Sequence, residues 1–163
     1  MRALRTVVLL GCLAGCAQKD GAASARAELR HLGGARFQVV PSAEQLPYCL
    51  VFTVSDQGVT RQLTMTRENR SIRCEAGKPV FNTSFLVPPE EGPVRAYVLF
   101  SDQRLSAGSI AQQLYDNAAR GHVTATDFRV PGTLVVETLR FDPKEEAPPV
   151  TGGKVGAGGT VVP

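Results

Sequence analysis

Between residues 36 and 141 apolar and polar positions alternate with a period of two, in short runs separated by turn residues. That is the pattern of antiparallel strands with one covered face each. The first run, Arg36 to Val40, ends at Pro41. The second, Tyr48 to Ser55, puts Leu50, Phe52 and Val54 on one side and Cys49, Val51 and Thr53 on the other. Neither side is strongly polar, which predicts a central strand. Asp56-Gln57-Gly58 supplies a hairpin turn, and Val59 to Thr66 returns with Val59, Leu63 and Met65 on its inner side. After Arg67-Glu68-Asn69-Arg70, a short strand over Ser71 to Cys74 carries Cys74 towards the strand that holds Cys49. Val80 to Val87 offers Phe81, Phe85 and Val87 as an apolar line, and Val94 to Ser101 alternates well enough on both sides to be a second central strand. Thr126 to Val130 reads as a short edge segment, and Thr133 to Phe141 as a last strand with Val135, Leu139 and Phe141 inward beside Glu137.

The period changes once within this region. Ala107, Ile110, Ala111, Leu114 and Ala118 recur at helical spacing, Ser106 stands where a helix N-cap belongs, and Arg120-Gly121 provides a basic last turn and a stop. Earlier, Ala27, Glu28, Leu29 and Arg30 favour a short helix over Ala25 to Leu32, ended by Gly33-Gly34. No fixed-period repeat is present. About six to eight short strands with one inserted helix predict a mainly β fold, a compact antiparallel β-sandwich or open barrel. The alternative is an α+β sheet with the helix packed on one face.

Composition sets the boundaries of the folded part. Residues 16–34 are rich in small and polar side chains and read as a tether, residues 35–142 as the β-rich domain. Residues 143–163 carry Glu145-Glu146, Pro148-Pro149, Gly152-Gly153 and Gly158-Gly159, too little apolar surface to offset chain entropy, so a disordered tail is expected.

The first residues carry the chain's address. Arg2 and Arg5 precede an apolar run from Val7 to Leu10 that ends in Leu13-Ala14-Gly15-Cys16. A charged start, a short apolar centre and small residues before a cut site define an export signal over residues 1–15, and the run is too short to span a bilayer. Leu13-Ala14-Gly15-Cys16 resembles the lipobox of bacterial lipoproteins. The resemblance covers the leader alone and implies that Cys16 is diacylated and becomes the N-terminus, so that the membrane is a partner through that lipid. Ala17 after the cysteine, in place of the aspartate that signals inner-membrane retention in that family, implies the outer membrane. Two or more acyl chains hold a protein on a membrane for good.

Loss of Arg2 and Arg5 with the leader would lower the formal charge of +3 to +1, leaving no overall electrostatic case for nucleic acid. Of the four cysteines, Cys12 leaves with the leader and Cys16 takes lipid, so Cys49 and Cys74 remain in an oxidising compartment. Count and compartment predict one disulfide.

Candidate chemistry is sparse. The two histidines, His31 and His122, form no metal-spaced pair with a cysteine, and no serine lies in a nucleophile elbow. Glu90-Glu91 reads as a solvated loop surface. Neither a phosphate-cradling glycine loop nor a dinucleotide or calcium motif is present, so no cofactor is expected and no enzymatic activity. The least neutral surface feature is the arginine series Arg61, Arg67, Arg70 and Arg73 near one hairpin end. It suits an acidic partner, or guards an edge strand. The expected function is a non-enzymatic protein-binding or assembly module of the cell envelope, whose partner is another envelope protein. A ligand- or glycan-binding sensor and an envelope hydrolase are the alternatives, the last requiring His122 beside a serine or carboxylate.

Overall fold

The computed structural model describes residues 25–145. The leader, Cys16 and residues 146–163 lie outside them. Eight strands and one α-helix form, in order, β1 (Ala27–Gly33), β2 (Arg36–Pro41), β3 (Tyr48–Ser55), β4 (Thr60–Gln62), β5 (Ile72–Arg73), β6 (Phe85–Leu86), β7 (Val94–Ser101), α1 (Ala107–Ala118) and β8 (Leu134–Phe141). The fold is mainly β with two antiparallel sheets, as the alternation predicts. The smaller sheet runs β1-β2-β6; the larger runs β4-β3-β7-β8, with β5 also paired to β3.

The two central strands are the two whose sequences leave neither face polar. β3 and β7 pair over their full length, from Tyr48 opposite Ser101 to Ser55 opposite Val94. Cys49 and Val51 of β3 and Ala96, Val98 and Phe100 of β7 point to the smaller sheet, where they meet Phe37, Val39 and Phe85 in one core. Leu50, Phe52, Tyr97 and Leu99 point the other way, into a second core closed by Ile110 and Leu114 of α1. The molecule is therefore a sandwich with a helix on the outer face of its larger sheet, so the helix packs as the α+β alternative supposed. The α1 stripe falls where the spacing puts it, with Ala107, Ile110, Leu114 and Ala118 buried and the Ser106 hydroxyl accepting from the Ser109 N–H at 3.5 Å.

Several segments depart from the sequence reading. Residues 27–33, read as the end of a tether and as a helix, form β1, so the folded body begins before residue 35. A helix of that length has too few bonds to stand alone. Alternate burial of Ala27, Leu29 and His31 against β2 outweighs local propensity, and Gly33 and Gly34, at φ +99° and +54°, turn the hairpin. The strand expected over Val59 to Thr66 stops at Gln62. There Thr64 turns wholly inside and its hydroxyl accepts the Val51 N–H at 3.0 Å, which sends Met65 out to 74% exposure. β5 then takes over the same edge of β3. Val80 to Val87 is broken by a 3-10 turn in which Phe81 has φ +58° and is exposed, leaving only Phe85 and Leu86 as strand. Thr126 to Val130 is no edge strand; Ala125–Asp127 is a 3-10 turn closed by a reciprocal cap between Thr124 and Asp127.

The disulfide is present. β5 sets Ile72 opposite Cys49, the Cys74 N–H donates to the Pro47 carbonyl at 2.9 Å, and Cys49 and Cys74 are bonded with Cα atoms 5.8 Å apart. It ties the irregular run after β4 to the central strand, across a sequence separation of 25. On the chain-entropy account a loop of this size restricts the unfolded state by about 3–4 kcal/mol. Cys49→Ala and Cys74→Ala are each expected to lose about that much in urea unfolding, with the double variant little worse than either. Unequal losses, or a reductant that leaves the melting temperature unchanged, would contradict this.

Candidate functional site

The four arginines of the sequence series do not form one patch. Arg61 lies on β4 opposite Thr53, towards the Ser55 end of the larger sheet. Its Nε donates to Glu91 Oε1 at 2.7 Å and its Nη2 to the same oxygen. Glu91 is buried, so the expectation that both Glu90 and Glu91 stay solvated holds for Glu90 alone. The carboxylate in turn holds the Arg61 guanidinium more firmly protonated, by hydrogen bond first and by charge second.

Arg70 and Arg73 lie at the opposite end, and a tertiary seam fixes Arg70 there. Asn69, which tolerates its φ of +48° as few residues do, accepts the Ala107 N–H on its carbonyl at 2.9 Å. Ser71 exchanges two bonds with Leu105: its N–H donates to the Leu105 carbonyl at 2.9 Å and its hydroxyl accepts the Leu105 N–H at 2.9 Å. Arg70 itself bridges Ser106 across this seam. Residues 69–71 are thus stitched to the start of α1, and Gly108 leaves space for the Asn69 amide, which would stand 3.0 Å from a β-carbon there.

The seam brings Arg70 to two arginines outside the sequence series. The Arg70 Nη2 donates to the Arg104 carbonyl at 3.4 Å, and Arg104 lies over the Tyr48 ring at 5.9 Å. Arg129 is delivered by the chain after the 3-10 turn, where Gln113 of α1 accepts the Arg129 N–H at 2.6 Å and donates to its carbonyl at 3.4 Å. Arg70, Arg104 and Arg129 line one hollow of about 240 Å³ together with Ser106 and Ser109. No carboxylate lines it. Among the described residues the ion pairs are Arg30 with Glu28, Arg61 with Glu91 and Lys78 with Glu75, so none of the three arginines is matched by an acid. Arg73, opposite Tyr48, flanks this end, and Arg67 is exposed on the loop before Arg70.

A second concavity of about 500 Å³ opens at the other end, between the β3–β4 turn and the C-terminus of α1, over Val54, Arg95 and the exposed Tyr115. Here Arg95, rather than Arg120, supplies the cation at the helix end: its Nη1 donates to the Gly121 carbonyl. Gly121, at φ +83°, is the stop the sequence indicates. Arg95 Nε and the Tyr97 hydroxyl are buried without hydrogen-bond partners. Burial pushes the Tyr97 phenol up, with the nearby Arg95 charge opposing it.

The histidines are apart from both hollows. His31 shares a 2.8 Å bond with the Gly34 carbonyl and meets Phe141 edge-on, while His122 is exposed. Neither bonds a serine or a carboxylate among the described residues. There too, no group of three His, Cys, Asp or Glu is placed to hold a metal, and no helix is long and apolar enough to cross a membrane. No protein-family model matches the chain, and no curated protein or solved structure matches it either.

Arg61→Ala strands a buried carboxylate, and a loss of about 1–3 kcal/mol is expected. Arg61→Met combined with Glu91→Met is expected to recover much of it, since an apolar pair leaves nothing unsatisfied; urea unfolding of the three proteins checks both. Asp127 titrates below the usual carboxylate range because it accepts the Thr124 backbone N–H first and the Thr124 hydroxyl second. Its contribution to stability is therefore full above the ordinary carboxylate pKa and fades as pH falls through the lowered one. Asp127→Asn is expected to flatten that part of the acid limb in melting curves recorded from about pH 6 down to about pH 2.

Proposed function

We propose that the protein is a lipid-anchored lipoprotein of the bacterial outer membrane that works by binding, as an accessory or assembly module for another envelope protein. The observation that carries this reading is the leader ending in Leu13-Ala14-Gly15-Cys16, followed by only ten residues before β1 begins at Ala27. A chain of that length reaches at most about 40 Å. A diacylated Cys16 would hold the folded body close to the bilayer while leaving it free to turn. The Cys49–Cys74 bond supports export, because such bonds persist in oxidising compartments. The buried surfaces are spent on two cores and a seam, and the unmatched arginines stand on rigid backbone, as a docking module requires.

The cleft over Arg95 supports a second reading, a ligand-binding lipoprotein. It joins the apolar groups of Val54, Ala118 and Ala119 to Arg95, whose buried Nε has no hydrogen-bond partner, the combination that small-molecule sites use.

Cys16→Ser is expected to yield an unprocessed, unlipidated chain. Fractionation and mass measurement of the protein from its own host check this, and a mature, membrane-held variant or an intact Met1 on the wild type would refute the anchor. Cross-linking in intact cells is expected to trap one protein partner. Capture of a small ligand in native mass spectra, lost in Arg95→Met, would favour the second reading instead.

A further inference from the structure

The hollow at the first turn of α1 is lined by three arginines and by no acid. The three arginines that line it come from the loop before β5, the loop after β7 and the loop before β8, where Asn69, Ser71, Leu105 and Arg129 are held by bonds to other elements. Convergence of like charges costs energy unless an anion offsets it, and no lining residue is acidic. Ser106 and Ser109 add hydroxyls, and the helix brings the positive end of its dipole. Arginine forks match the oxygens of phosphate in pairs.

The position of the hollow indicates where the phosphate comes from. β1 begins with Ala27 opposite Pro41, the Pro41 carbonyl accepts the Gly77 N–H at 2.8 Å, and the Pro47 carbonyl accepts the Cys74 N–H at 2.9 Å. The first described residues, Ala25 and Arg26, bond Ser42 in the segment that leads into the Tyr48 end of β3. Arg73 opposite Tyr48 and Arg104 over the Tyr48 ring stand at that same end. Arg61, paired with Glu91, and Arg95, at the helix C-terminus, belong to the other end.

We propose that the hollow of Arg70, Arg104 and Arg129 receives a phosphate oxyanion of an anionic lipid headgroup in the bilayer that holds Cys16, so that the arginine end rests on the membrane. The anchor supplies proximity and the hollow supplies orientation. This rests on the lipoprotein reading for the source of the phosphate. It leaves the flank of α1 and the cleft over Arg95 turned away from the lipid.

The test uses the unlipidated chain from Ala17 onward, which contains every strand, the helix, both cores and the disulfide, and whose cooperative melting is confirmed first. Its outcome is independent of whether Cys16 is processed. Flotation with vesicles of phosphatidylglycerol and phosphatidylcholine is expected to show binding that pure phosphatidylcholine does not support. Arg70→Gln, Arg104→Gln and Arg129→Gln together should weaken it about a hundredfold, each arginine near an anionic surface being worth about fivefold. Arg36→Gln with Arg140→Gln, on exposed strand positions towards the other end, should change it by less than about threefold. Equal binding by the triple variant overturns the proposal. In a parallel arm inorganic phosphate is titrated while the α1 first-turn amides are followed by NMR. Shifts there that the triple variant loses, without vesicle binding, would overturn the lipid source and assign a free phosphate. Indifference to vesicles and phosphate, with binding of polyglutamate instead, would overturn it in favour of an acidic protein segment.

Discussion

The eight-residue pairing of β3 with β7 is the constraint on which the rest of the structure depends. Both strands are apolar on both sides, so the pair cannot be left with a face in water; each side must find a cover. The smaller sheet covers one side and α1 the other, and the two cores share only the backbone between them. Residues as close in sequence as Cys49 and Leu50 therefore stabilise different layers. Interiors packed at this density transmit a misplacement in one strand to both layers, which makes register in this pair more consequential than in any edge strand.

The edges are then free to be irregular, and the structure uses that freedom to place side chains. β4 ends early because Thr64 supplies through its hydroxyl the bond that a further strand residue would have made. The chain wanders through residues 66–70 and returns under two ties, the disulfide to β3 and the Ser71–Leu105 seam to α1. The seam satisfies backbone groups at the entry to the helix that would otherwise be orphaned, and it fixes the loop that carries Arg70. The same bonds that finish the fold thus assemble a hollow lined by three arginines and no acid.

Polarity along the β3 axis gives the molecule two different ends. One has the first described residues, the disulfide and unmatched arginines. The other has the Arg61–Glu91 pair, the helix C-terminus held by Arg95 and the cleft beside Tyr115. The end that carries the hollow of three arginines is suited to meeting an anionic surface, while the other end holds the cleft beside Tyr115.

Local pattern determined what local physics controls. The period of two identified both central strands, because a strand buried on two sides has no polar face to hide, and helical spacing with Ser106 before it and Gly121 after it located α1. The cysteine count and the leader were enough to expect the Cys49–Cys74 bond. Tertiary structure decided the rest wherever a long-range partner outweighed a local preference. Residues 27–33 became a strand because β2 offers them a ladder that a short helix cannot match, and Met65 and Phe81 were turned outward by a buried hydroxyl and a strained turn. The charged site was divided the same way. Arg61 was lost from the series to Glu91, thirty residues on, and Arg104 and Arg129 joined Arg70 from loops distant in sequence. Charge spacing along a chain reports the neighbours of a residue only where the backbone is regular, and these arginines stand on loops whose paths are set by bonds to other elements.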